Sequence, residues 1–136
     1  MKSELFPYNL ILNKLSVILF TILILPSAKA DVLIVPDDYP SIQAAVDACE
    51  EGDTVMINPG RYYENVILTG KGITLTSFYE VTGDYYIRDR TIIDGSSSGS
   101  CLTILQVSGE AQVKGLVLTN GYTDYGAGMM IGEGSN

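Results

Sequence analysis

The spacing of apolar residues changes several times along this chain, and each change marks a different element. From Leu15 to Leu25 (LSVILFTILIL) the run is apolar except for Ser16 and Thr21. Val32 to Val35 reads as a short strand ended by Pro36. Ile42, Ala45, Val46 and Cys49 then fall at i, i+3, i+4 and i+7, one face of a helix. Ser41 stands where an N-cap belongs and Gly52 where a helix-ending glycine belongs, so a helix is expected over 41–50. A helix that short is not stable in water by itself and must lie on an apolar surface.

Beyond Asp53 the period becomes two. Val55 and Ile57 share one face of a strand, and Pro59-Gly60 turns the chain. Arg61 to Glu64 reads as a corner, Val66 to Leu68 as a strand, and Gly70-Lys71-Gly72 as a turn into Ile73 to Thr76. Further short strands are expected at Thr91 to Asp94, Leu102 to Val107, Gly115 to Thr119 and around Met129-Met130-Ile131. Phe78 to Arg90 (FYEVTGDYYIRDR) is polar and aromatic, and reads as a loop bulging from this series. Ser96 to Ser100 is a flexible corner. No Asn-Gly or Asp-Gly joins two matched runs, so the strands do not read as hairpins. Lys71-Gly72-Ile73-Thr74-Leu75-Thr76-Ser77 recurs as Lys114-Gly115-Leu116-Val117-Leu118-Thr119-Asn120, 43 residues on. Self-similarity on a strand-and-turn background predicts a solenoid.

The apolar run near the start changes how the charge is counted. Lys2 and Lys14 make the segment before it basic, Pro26 ends it, and Ser27-Ala28-Lys29-Ala30 offers a small-x-small cleavage site. Residues 1–30 therefore read as a secretory signal peptide, with Asp31 as the mature N-terminus. Eleven residues fall short of the roughly 20 that a membrane-spanning helix needs. The whole chain carries 8 basic and 16 acidic side chains, and without 1–30 it keeps 5 and 15. So acidic a surface argues against nucleic acid or an anionic membrane as partner. About 106 mature residues suffice for one small domain. The two cysteines, Cys49 and Cys101, leave open a disulfide, which export permits, or two buried thiols.

Three stretches carry a resemblance to a known family: VPDDYPSIQAAVDACEEGDTVMINPGRYYENVIL, then TIIDG with its serine-rich turn and CLTIL, then VKGLVLTNGYTDYGAGMMI. Together they resemble the N-terminal cap and first coils of pectin-lyase-like, right-handed parallel β-helix proteins, in particular exported bacterial repeat proteins. The resemblance implies an all-β fold, a right-handed parallel β-helix (solenoid) with a short N-terminal capping α-helix. Residues 31–136 would be the cap and first coils of a truncated domain, uncapped at its C-terminal end and prone to self-association there. It further implies an exported chain at the cell surface, outside the cell or in the periplasm, serving adhesion or glycan binding without catalysis of its own. The alternative is the N-terminal part of a polysaccharide lyase or glycoside hydrolase whose catalytic coils lie beyond Asn136.

The site chemistry is sparse. There is no His, which excludes imidazole acid–base or metal chemistry. No catalytic set, metal-ligand set or cofactor motif is legible. Asp37, Asp38, Asp84, Asp89, Asp94 and Asp124 occupy turns that could offer oxygens to calcium, though Asp forms turns for local reasons. Asn120 is expected to stack with asparagines of later coils. Tyr85, Tyr86, Arg88 and Arg90 put aromatic rings beside cations, the combination that stacks on a sugar, and are the expected glycan contact.

Overall fold

The computed structural model describes residues 29–124 and 126–132. The expected signal peptide lies outside the described residues except for Lys29 and Ala30, and so do the last four residues, 133–136.

Ten strands form three small parallel sheets. They are β1 (Val32–Val35), β2 (Thr54–Ile57), β3 (Gly60–Tyr63), β4 (Val66–Thr69), β5 (Thr74–Ser77), β6 (Thr91–Asp94), β7 (Leu102–Leu105), β8 (Gln112–Lys114), β9 (Val117–Thr119) and β10 (Met129–Gly132). The sheet orders are β1-β2-β5-β8, β3-β6-β9 and β4-β7-β10, so from β2 onward the chain visits the three sheets in turn. Three helices accompany them among the described residues: α1 (Ile42–Ala48), α2 (Tyr79–Thr82) and α3 (Tyr85–Arg90).

The expectation of an all-β, right-handed parallel β-helix with one capping helix is corrected by this arrangement. Among the described residues there are three open parallel sheets, none closed on itself, with three helices. Nor is there a fixed repeat. Thr54 pairs with Thr74, 20 residues on, whereas Thr74 pairs with Gln112, 38 residues on. The two copies of the 43-residue sequence repeat fall in different sheets, one on β5 and the other on β9. The two glycines serve different ends: Gly115 takes a left-handed φ of +60, whereas an added Cβ at Gly72 would lie 2.6 Å from the Glu110 backbone.

Two local expectations are also corrected. Gly60 to Tyr63 is a strand, because it pairs in parallel with β6, and the Tyr62 hydroxyl donates to the Asn58 carbonyl at 2.9 Å. Residues 78–90 hold two helical turns in place of a loop. The strand β8 at Gln112–Lys114 had no clear sequence signal, since its alternation spans only three residues.

The core is built as the period-two pattern demands. Val35, Val55, Ile57, Val66, Leu68, Leu75, Ile93 and Leu102 are almost wholly buried between the sheets. Helix α1 covers one end with Ile42, Ala45, Val46 and Cys49, the four positions of its apolar face. Its first turn is fully accounted for. Ser41 caps it by accepting from the Ala44 amide at 3.1 Å, and Glu64 accepts from Ile42 at 3.0 Å and Gln43 at 2.9 Å. The helix stops at Ala48, and Lys71 donates to the Asp47 and Cys49 carbonyls at 3.1 and 2.6 Å. Gly52, with φ +87, therefore serves the following turn and not the helix end.

α1 also protects a sheet edge. β4 is the outermost strand of its sheet, and the Gln43 side-chain amide sits on it like a peptide group. It accepts from Ile67 N at 2.8 Å and donates to Ile67 O at 3.0 Å. At the other end Val113, Leu116, Leu118 and Met129 are only partly buried. There the backbone closes tightly around Gly121, where an added Cβ would lie 1.5 Å from the Ala127 carbonyl oxygen.

Candidate functional site

The segment between β5 and β6 gathers the aromatic and cationic residues. Gly83 ends α2 in the left-handed conformation, φ +67, with its amide on the Tyr79 carbonyl. Asp84 then caps α3, accepting from the Tyr86 amide at 2.9 Å. The segment is tied down at both ends. Ser77 Oγ accepts from the Tyr79 amide at 3.3 Å and donates to the Gly115 carbonyl at 2.5 Å, while Thr91 Oγ1 donates to Ile87 O at 2.8 Å. α3 lies against β6 and β9, so its position is set by the sheet beneath.

All four residues expected to meet a glycan stand on α3. Helical spacing sorts them into two stacks. The Arg88 guanidinium lies 4.8 Å from the Tyr85 ring centroid and 5.9 Å from that of Tyr79. The Tyr79 and Tyr85 rings are 5.2 Å apart at 45°. The Arg90 guanidinium lies 4.2 Å from the Tyr86 ring. Tyr85 and Tyr86 remain 60% and 61% exposed, so both rings are still available to a partner. Arg88 is also bound by Asp89 through Nε at 2.8 Å and Nη2 at 2.7 Å, which holds its pKa above the ordinary value. The Tyr79 hydroxyl is pushed up, chiefly by its hydrogen bond to Tyr85.

Two participants were missed in the sequence. Tyr79 sits on α2, and the expected loop gave no reason to bring it to Tyr85. Arg61 arrives from β3, and parallel pairing sets it beside Ile92. A recess of about 290 Å³ lies on that face, lined by Pro59, Gly60, Arg61, Arg90 and Ile92. Arg61 is oriented from below by an ion pair with Asp94. The other contacts of Asp94 are the Ser96 amide at 2.9 Å and the Asn120 side chain at 2.9 Å. These contacts, the Ser96 amide foremost, hold its carboxyl below the usual range. Asn120 therefore serves the Asp94 carboxylate.

Two further turn aspartates have local duties. Asp38 accepts from the Ile34 amide and Asp37 from the Asn58 side chain. Asp31, Asp37, Asp38, Glu50 and Asp53 line a second, acidic recess of about 750 Å³. Within it Asp53 is occupied by the Asp31 and Glu50 amides, both at 2.8 Å. Among the described residues no group of three or more His, Cys, Asp or Glu is placed to hold a metal ion. Nor is any helix among them long and apolar enough to cross a membrane. Cys49 and Cys101 are separate, buried thiols, which decides the question the sequence left open.

In comparisons with protein-family models, curated proteins and solved structures, nothing matches this chain.

Proposed function

We propose that this is an exported protein, acting at the cell surface or outside the cell, that binds polysaccharide through the tyrosine and arginine residues of α2 and α3 and so serves adhesion. Kinship with pectin-lyase-like proteins belongs to the same proposal and rests on the three sequence stretches quoted above. The observation that carries the binding reading is the pair of exposed rings, Tyr85 and Tyr86, each held by a guanidinium on a short helix fixed to the sheet. A sugar presents an apolar face of C–H groups that covers such a ring, and its hydroxyls accept from arginine. Each ring is expected to contribute about 1 kcal/mol, roughly fivefold in affinity. The contact is therefore weak alone and effective when repeated along a polymer.

Glycan-array binding followed by titration calorimetry tests this. The Tyr85→Ala/Tyr86→Ala double variant should lose at least tenfold in affinity while keeping the wild-type melting temperature. Unchanged binding in a folded double variant would refute the assignment.

A further inference from the structure

The recess on the outer side of β3 and β6 places two arginines together in a strongly acidic protein. Arg61 and Arg90 both line it, and the apolar or backbone walls (Pro59, Gly60, Ile92) offer neither of them a counter-charge. Arg61 does have a partner, Asp94, but below it: Asp94 is 2% exposed, whereas 43% of the Arg61 side chain remains accessible. Arg90 has no carboxylate partner among the described residues, and its guanidinium rests on the Tyr86 ring. Arg90 thus brings an uncompensated positive charge to the recess, and the planar forks of the two guanidiniums suit an oxyanion.

We infer that this recess binds an oxyanion substituent, a sulfate ester, phosphate or carboxylate, of the polysaccharide that stacks on Tyr86. The inference rests on the glycan reading of α3 and adds to it the charge class of the ligand. Asp94 acts as a positioning residue. Held by Asn120 and the Ser96 amide, it engages the Arg61 fork through Nη1 and leaves the remaining N–H groups for the ligand. Parallel pairing of β3 with β6 makes this possible, since it sets Tyr63 opposite Asp94 and Arg61 opposite Ile92, two residues nearer the start of the strands. Arg61 then reaches along the sheet to the carboxylate.

The test compares sulfated, carboxylated and neutral oligosaccharides of equal length by calorimetry at low and high salt. The anionic ligands should bind at least tenfold more tightly than the neutral one at low salt, and the advantage should shrink as salt rises. Whichever anionic ligand binds tighter identifies the substituent. Arg90→Ala, which disturbs no buried partner, should abolish the preference. Arg61→Lys should reduce it while preserving the charge above Asp94, and Lys114→Ala, on β8, should leave it intact. Equal affinity for neutral and anionic ligands, or a preference that survives Arg90→Ala, would overturn the inference and leave the glycan reading standing. If no oligosaccharide binds at all, the glycan reading fails. Inorganic sulfate then decides the recess: shifts of the Arg61 and Arg90 side-chain resonances sustain the anion site, and their absence ends it.

Discussion

Replacing Glu64 by alanine should loosen the end of the molecule that α1 covers, although Glu64 lies outside that helix. Its two oxygens hold the amides of Ile42 and Gln43, while Ser41 holds that of Ala44. Truncation therefore strips two of the three side-chain acceptors from the first turn. A lost helix cap costs about 1 kcal/mol, and bonds to a charged group somewhat more. Glu64 is only half-buried, so water recovers part of that loss. The net destabilisation is about 1–2 kcal/mol, which for a domain of this size lowers the melting temperature by roughly 5–15 °C. Glu64→Gln keeps one acceptor but turns an NH2 toward the other amide, and should fall between wild type and alanine. Thermal unfolding followed by circular dichroism measures the shift, and hydrogen exchange should speed up at Ile42, Gln43 and Ile67. Ile67 is included because Gln43 pairs with its backbone only while α1 is seated. A Glu64→Ala shift no larger than that of Glu80→Ala, a change at an exposed position on α2, would refute the clamp.

Val46, 2% exposed beneath α1, should tolerate alanine at a cost of about 2 kcal/mol. Val46→Asp buries an unpaired charge and should abolish cooperative thermal unfolding; an unaltered melting curve would mean that α1 covers no core. Acid should destabilise the protein through Asp53 and Asp94, whose native pKa values lie below the ordinary carboxylate value. Their contribution is complete above about pH 4 and is lost as the pH falls through the lowered native values, because the unfolded chain takes up protons first. A melting temperature that stays level between pH 5 and pH 2 would contradict this. Burial, with the Asp53 charge adding and Lys71 opposing, pushes the Cys49 thiol up to about 11. Its contribution is therefore complete below about pH 8.5 and declines as the pH climbs toward 11. Both cysteines should react with a thiol reagent only after denaturation, and two thiols should be counted without reductant.

The hydrophobic pattern by itself determined most of the strands and α1, because a half-buried strand and an amphipathic helix each write their period into neighbouring residues. Ser41 as cap and the Ile42, Ala45, Val46 and Cys49 face were legible for that reason. The sequence misled where a local pattern stood for a long-range one. Lys71–Ser77 and Lys114–Asn120 look alike because each is a turn running into a strand, yet pairing sends them to different sheets. The helices α2 and α3 were invisible as such: they are four and six residues long, bury no residue fully and are held by caps and by the strands beside them. Contacts between residues far apart in the chain were decided by tertiary structure alone. Glu64 reaches the start of α1 from the β3–β4 corner. Arg61, Asp94 and Asn120 meet only because β3, β6 and β9 stack in parallel. The same stacking brings Arg61 and Arg90 to one recess, a juxtaposition no spacing in the sequence encodes, since it depends on the register of strands about 30 residues apart.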